Sequence, residues 1–395
     1  MIRSFVPFFP FLPFLPFLLS PPDVHQIHRR ILTLDTHADA PIMLQKSGFD
    51  VGVAHDTKRD GSQIDFPRMK DGGMDAMFFA VYTSQGPRTV AGHAEAKRNA
   101  LSQFDLINQA LKRYPNLAEL ATKPADAYRI EKAGKRAVFI GMENGYPIGE
   151  DLSMVKAYFD LGCRYVTLSH FANNAICDSS TDPDGPVHNG LSEFGRQVVG
   201  EMNRLGIMVD ISHTSDKTFY DVLALSKAPV IASHSNARAL CDFPRNMTDD
   251  MIRAIAKNGG VVQVNFVSDY LRQPSEAHRA AKTQIRMARV GKVTTPDMES
   301  RIMARSDSVG KIYASERASL SDIVKHIDHI VKTAGIDHVG IGSDFDGGGG
   351  VNGLEDVSQI ENLTGELLRR GYSEKDVAKI WGGNLLRVLG QAKVK

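Results

Sequence analysis

Cysteine is scarce in this chain: Cys163, Cys177 and Cys241 are the three in 395 residues. Thiols so few and so scattered exclude a disulfide framework and a cysteine-based zinc site. They read as packed or free thiols, with one bridge at most. A surplus of either charge is also missing, since 47 Lys and Arg stand against 46 Asp and Glu. No global field therefore favours nucleic acid or an anionic membrane. Long apolar runs are confined to the start, "MIRSFVPFFPFLPFLPFLLSPPD". That stretch has the length of a signal-peptide core, but Pro7, Pro10, Pro13 and Pro16 break it as a membrane helix. No small-residue cleavage motif follows. An early Arg and then an apolar run favours export, periplasmic or secreted, with a cytoplasmic chain the other option. Residues 1–22 are set apart as a leader, and 23–395 read as one domain.

What is present is a rhythm. With 42% hydrophobic residues the chain can bury a large core. Short β-branched and aromatic runs lie at 31–37, 76–83, 136–142, 163–169, 207–212, 228–233, 260–266 and 338–343. Amphipathic helical patterns separate them, among them 91–114 and 191–206. Eight strands alternating with helices predict an α/β fold, a (β/α)8 TIM-type barrel. The rival, a doubly wound open sheet, wants a glycine-rich phosphate loop after its first strand, and none is there.

The polar residues break this pattern at one edge. The first run ends in "DTHADAP" with His37 and Asp39, and the third in "GMENG" with Glu143. His170 closes "TLSH", His213 closes "DISH", His234 closes "IASH", and Asp344 and Asp346 stand in "GSDFDG". In a barrel these strand ends meet on the face that carries active sites. Residues i and i+2 of a strand share a side, so His37 and Asp39 aim together. Unpaired charges at buried strand ends cost on the order of several kcal/mol in lost solvation. A bound ion removes that cost. Imidazoles and carboxylates converging without cysteine suit zinc or a similar divalent ion. The set exceeds what one catalytic zinc needs, and Glu143 is placed to bridge two ions that clamp a hydroxide.

These motifs, with "TLSHFANNAICDSS", "GLSEFGRQVVGEMNRLGIMVDISH", "APVIASHSNARALCDFPRNMTDD" and "GGNLLRVLG", resemble the renal (membrane) dipeptidase family. That is peptidase family M19 of the amidohydrolase-like superfamily, and the resemblance runs over nearly all the chain after residue 30. It implies a zinc-dependent dipeptidase with two Zn2+ per chain. His37 and Asp39 fall on the ligands of one zinc, Glu143 on the bridging carboxylate, and His213 and His234 on the ligands of the second. Asp344 falls on the proton-transfer carboxylate and His170 on the histidine that polarises the scissile carbonyl. Arg245 falls on the arginine that grips the substrate's terminal carboxylate. The resemblance further implies a homodimer acting on dipeptides. A related barrel working on a non-peptide substrate, or one that binds metal without turnover, is the alternative. The H-x-H and modified-lysine pattern of phosphotriesterase-type and dihydroorotase-type relatives is not the H-x-D and Glu143 pattern seen here.

Other residues carry plainer readings. Asp344 and Asp346 also suit turns, and Arg245 also suits a surface pair with Asp242 or Asp249. Asp178 reads as an orienter. His326 and His329, at spacing i, i+3, read as surface residues. His55, His93 and His188 read as histidines without carboxylate company. The segment 271–320 carries ten Lys and Arg against five Asp and Glu. It reads as a charged insert on the active-site face, either a roof, a subunit contact or a solvated excursion.

Overall fold

The structure, a computed structural model, describes residues 23–287 and 296–394. The proposed leader and residues 288–295 of the insert lie outside the described residues. Strands form where the β-branched and aromatic runs lie: β1 Leu34–Ala38, β2 Ala76–Tyr82, β3 Ala118–Leu120, β4 Arg136–Glu143, β5 Cys163–Thr167, β6 Met208–Asp210, β7 Ile231–Ala232, β8 Val261–Val264 and β9 Val339–Ile341. All pair in parallel, in the order β1-β2-β4-β5-β6-β7-β8-β9. The ring closes just past β9, where Asp344 N–H donates to His37 O (2.9 Å) and Asp39 N–H to Phe345 O (2.8 Å). This is the predicted eight-stranded barrel. One strand was not expected: β3 pairs only with β4, off the barrel path. Three residues with one buried apolar side chain, Ala118, give no periodic signal.

Several expected strands are shorter than their apolar runs. Ile31 caps the helix Val24–Arg30 and does not start β1. Of the run 228–233 the ladder keeps only Ile231 and Ala232. The helices stand where the 3.6-residue pattern put them, Val90–Arg113 and Glu193–Leu205. Ser192 caps the second by accepting from Gly195 N–H, and Gly206 ends it at φ 89°, a left-handed conformation glycine adopts freely.

Strand alternation sorts side chains to two sides. Met77, Phe79, Val81, Val138, Ile140 and Met142 pack outward against helices. Phe78, Phe139, Met208, Ile231 and Val261 form a separate apolar floor, closed below by residues of the helices Pro124–Lys132 and Asn384–Gln391. Continuing inward positions along the same strands are polar: Tyr165 and Thr167, Asp210, Ser233, Gln263, and finally Glu143. The barrel interior thus runs from an apolar floor to a polar rim. All three cysteines are buried and free, as the packed-thiol reading expected.

Candidate active site

The rim converges on the carboxylate of Glu143, the last residue of β4. Oε1 lies 3.0 Å from His213 Nε2, 3.4 Å from His234 Nε2 and 3.6 Å from His170 Nε2, and Oε2 lies 3.6 Å from His37 Nε2. Donors that share one zinc at about 2.0–2.1 Å sit roughly 3–4 Å from each other, so these spacings match a shared ion. Three groups bring one donor atom of each member within 4.8 Å of the others: His37, Glu143 and His234; Glu143, His170 and His213; and His37, Asp39 and Asp344. All seven residues are at most 9% exposed.

Four residues at these strand ends hold a positive φ without being glycine: Asn144 (76°), His213 (67°), Asp344 (61°) and Asp346 (64°). Such conformations cost of order 1–3 kcal/mol each and persist where the surroundings over-determine them. Two of the four, His213 and Asp344, also belong to the cluster, His213 beside Glu143 and Asp344 beside His37 and Asp39.

The cluster's own charges do not balance it. Burial pushes Asp39 well above the ordinary carboxylate range, and the facing Glu143 adds to that. Burial likewise raises Asp344 to about 6. His213 and His234 are driven down, by burial first and then by neighbouring positive groups, and His170 falls to about 4. Burial opposes charge on His37 as well, but Glu143, Asp39 and Asp344 together override it and hold the ring at about 10. Burial also opposes charge on Glu143, yet the imidazoles around it keep it well below its usual range. His37 Nε2, Asp39 Oδ1 and His213 Nδ1 are buried without a hydrogen-bond partner. The unpartnered His37 Nε2 and Asp39 Oδ1, with uncompensated carboxylates beside them, are what a divalent cation satisfies, so this donor set fits a metal.

The remaining predicted residues fall around this centre. Asp344 Oδ2 accepts from Asn265 Nδ2 (3.1 Å), and its backbone O accepts from Gly347 and Gly349 N–H in the turn that follows β9. Arg245 is 4% exposed, which excludes the surface reading. Its Nη2 donates to His234 O (3.1 Å), its guanidinium stands 5.6 Å from the Tyr270 ring centre, and no carboxylate among the described residues pairs with it. Asp346 is a loop tie: its Oδ1 accepts from Gln63 N–H (2.6 Å), and its own N–H donates to Gln63 Oε1 (2.7 Å). Asp178 gathers the N–H groups of Val187, His188 and Gly190 and so orders the loop after β5. A cavity of about 220 Å³ opens above the cluster, lined by Asp39, Tyr82, Glu143, Phe171, Tyr270 and Asp344 among others.

Two plain readings need correction. His326 is not a surface residue. It is 1% exposed, with Nε2 on Leu271 O (3.0 Å) and Nδ1 accepting from Ala237 N–H (3.1 Å). His329, half-buried, pairs with Asp249 (2.7 Å), and His55 has carboxylate company in Asp60 (2.8 Å). Sequence reasoning missed Asp210, Ser233, Tyr165 and Asn265, which lie directly under or beside the cluster. Their only signal was polarity at inward strand positions.

Fold and site together define a (β/α)8 enzyme with a metal-binding type of rim. The family model of the membrane dipeptidases, peptidase family M19, matches residues 22–395. The chain is 34% identical over 336 residues to dipeptidase aclJ of Aspergillus oryzae, covering 84% of this chain and 70% of that protein. It is similar to the crystal structure of the probable dipeptidase PvdM from Pseudomonas aeruginosa, with 33% identity and a TM-score of 0.83 over 94% of this chain and 97% of that one. It is also similar to a metallo peptidase from Rhodobacter sphaeroides liganded with a phosphinate mimic of the dipeptide L-Ala-D-Ala. There the identity is 26% and the TM-score 0.74, over 92% of this chain and 99% of that one. The chain belongs to the membrane dipeptidase family and is an enzyme of that family.

Proposed function

We propose that the chain hydrolyses the peptide bond of dipeptides, with His37, Asp39, Glu143, His213 and His234 holding two zinc ions and Glu143 shared between them. When bound, the ions supply a water that is nucleophilic at neutral pH and a Lewis acid for the scissile carbonyl. His170, a neutral imidazole beside Glu143, is placed to donate to the carbonyl oxygen as negative charge develops there. Asp344 takes the proton released by the attacking water and returns it to the leaving amine. Its carboxyl lines the cavity above the cluster, where a substrate would sit. Arg245 receives the free C-terminal carboxylate of the substrate.

The observation that carries the dipeptide reading is Arg245 itself. A buried guanidinium with no carboxylate partner among the described residues, touching the backbone of His234, wants an anion from outside the chain. A free carboxylate one residue beyond the scissile bond supplies it. The test is a library of dipeptides, their C-terminal amides and longer peptides, assayed with zinc-loaded protein. Cleavage confined to free dipeptides supports the reading, and equal cleavage of amides sinks it. A homodimer and an exported location belong to the same proposal. Light scattering checks the first and N-terminal sequencing of the mature protein the second.

A further inference from the structure

Under the cluster lies a polar layer that the mechanism does not use. Asp210 of β6 is fully buried and accepts four hydrogen bonds: from Thr167 Oγ1 (2.5 Å), Ser233 Oγ (2.6 Å), Ser233 N–H (2.8 Å) and Ser212 N–H (3.0 Å). Ser233 Oγ in turn lies 2.8 Å from His234 Nδ1. A serine hydroxyl has one proton. The short bond to Asp210 takes it, so the contact with His234 must be made by an Nδ1–H of the ring. That leaves the Nε2 lone pair of His234 facing Glu143, 3.4 Å from Oε1.

A second imidazole is held in place by a hydroxyl. His37 Nδ1 lies 2.7 Å from the Tyr165 hydroxyl, while its Nε2 faces Glu143 and has no hydrogen-bond partner. The Tyr165 ring occupies space that β4 leaves open. A Cβ on Gly141 would stand 2.1 Å from the ring's Cζ. Glycine at 141 is therefore required by the tyrosine, and the tyrosine reaches the histidine.

We propose that Asp210 with Ser233, and Tyr165 seated over Gly141, are positioning residues: the first pair fixes the tautomer and aim of His234, and the second the aim of His37, as metal ligands. Outer partners of this kind hold a ligating imidazole in one ring orientation and raise its basicity, and their loss costs about 10–100-fold in metal affinity. The hydroxyl of Ser233 conveys the Asp210 carboxylate to a ring that the carboxylate does not itself touch. The apolar floor beneath, with Phe78 4.8 Å from Phe139 and 5.3 Å from Tyr165 between ring centres, keeps this layer from shifting downward.

The inference rests on the reading of the cluster as a metal site, and the experiment separates the two. Zn2+ affinity is measured by competition with a chromophoric chelator for the parent, Ser233→Ala, Ser233→Thr, Tyr165→Phe and Gly141→Ala, alongside melting of the chelator-stripped proteins. Ser233→Ala and Tyr165→Phe are expected to bind Zn2+ about 10–100-fold more weakly. Ser233→Thr keeps the hydroxyl and is expected to stay within about threefold of the parent. Gly141→Ala displaces the tyrosine and is expected to weaken binding as Tyr165→Phe does. A structural role alone lowers melting without moving the affinity. Parent-like affinity in both Ser233→Ala and Tyr165→Phe overturns the inference. A parent that binds no Zn2+ overturns the metal reading instead.

Discussion

His213 Nε2 and His234 Nε2 stand 2.8 Å apart, and both face the same oxygen of Glu143. Since Ser233 fixes the proton of His234 on Nδ1, two ring nitrogens and a carboxylate oxygen meet with at most one proton to share. Protonating either ring is opposed by burial, which drives both imidazoles below their usual range. A cation at that point satisfies all three donors at once.

The first prediction follows from this arrangement. Reconstituted protein should hold about two zinc ions per chain, in line with two-metal hydrolytic sites, as read by elemental analysis after gel filtration. Glu143→Gln, which keeps the shape and removes the shared charge, should lose at least one of them. Full metal content in that variant would show that Glu143 bridges nothing.

Arg245 yields the second. Truncating one member of a buried charge pair costs about 2–5 kcal/mol. Arg245→Ala should therefore lower kcat/KM for free dipeptides by roughly 30-fold or more. Dipeptide amides offer the guanidinium no charge, so the same substitution should change their slow turnover little. Equal losses on both substrates would mean that Arg245 supports the backbone of His234 and does not bind substrate.

Much of this was legible in the chain because a strand's two-residue period is rigid. Once the β-branched runs were placed, His37, Glu143, His213, His234 and Asp344 had to share an edge, and they do. Asp210 and Ser233 were equally visible as letters, yet in "DISH" and "IASH" only the closing histidines broke the strand pattern. Their meaning comes from β6 and β7 lying side by side, with Asp210 in register with Ile231. His326 escaped for a similar reason. Its helix, Leu320–Ala334, presents it inward to the loops after β7 and β8, a contact between segments 55 and 89 residues apart. Helical spacing says which residues share a face and not what covers that face.

The third prediction concerns Asp344. If it carries the proton, Asp344→Asn keeps its fold and its metal but loses about 10²–10⁴-fold in kcat, the usual share of general acid–base catalysis. Asn tolerates the positive φ that Asp344 adopts, so the backbone itself gives no reason for misfolding. Retained activity would reduce Asp344 to a turn residue. Loss of metal together with activity would make it chiefly a ligand.

The last prediction uses His326 as a reporter of acid sensitivity outside the metal cluster. Its Nδ1 accepts the Ala237 N–H, so the neutral ring is the form the fold needs, with Nε2–H donating to Leu271 O. Burial lowers its pKa from 6.5 to about 4. Below 6.5 the unfolded chain takes up a proton that the folded chain refuses, so stability falls with pH from there to about 4. A shift of that size is worth on the order of 3 kcal/mol, all of it present above the unfolded value and lost by the folded one. His326→Gln can make both hydrogen bonds without titrating. The variant should be somewhat less stable than the parent at pH 7, and that difference should shrink or reverse as the pH is lowered to about 4. Zinc release acts on both proteins alike and cancels in the comparison. Denaturant melts across this range decide the matter: parallel curves would mean that His326 titrates normally and that its burial costs nothing.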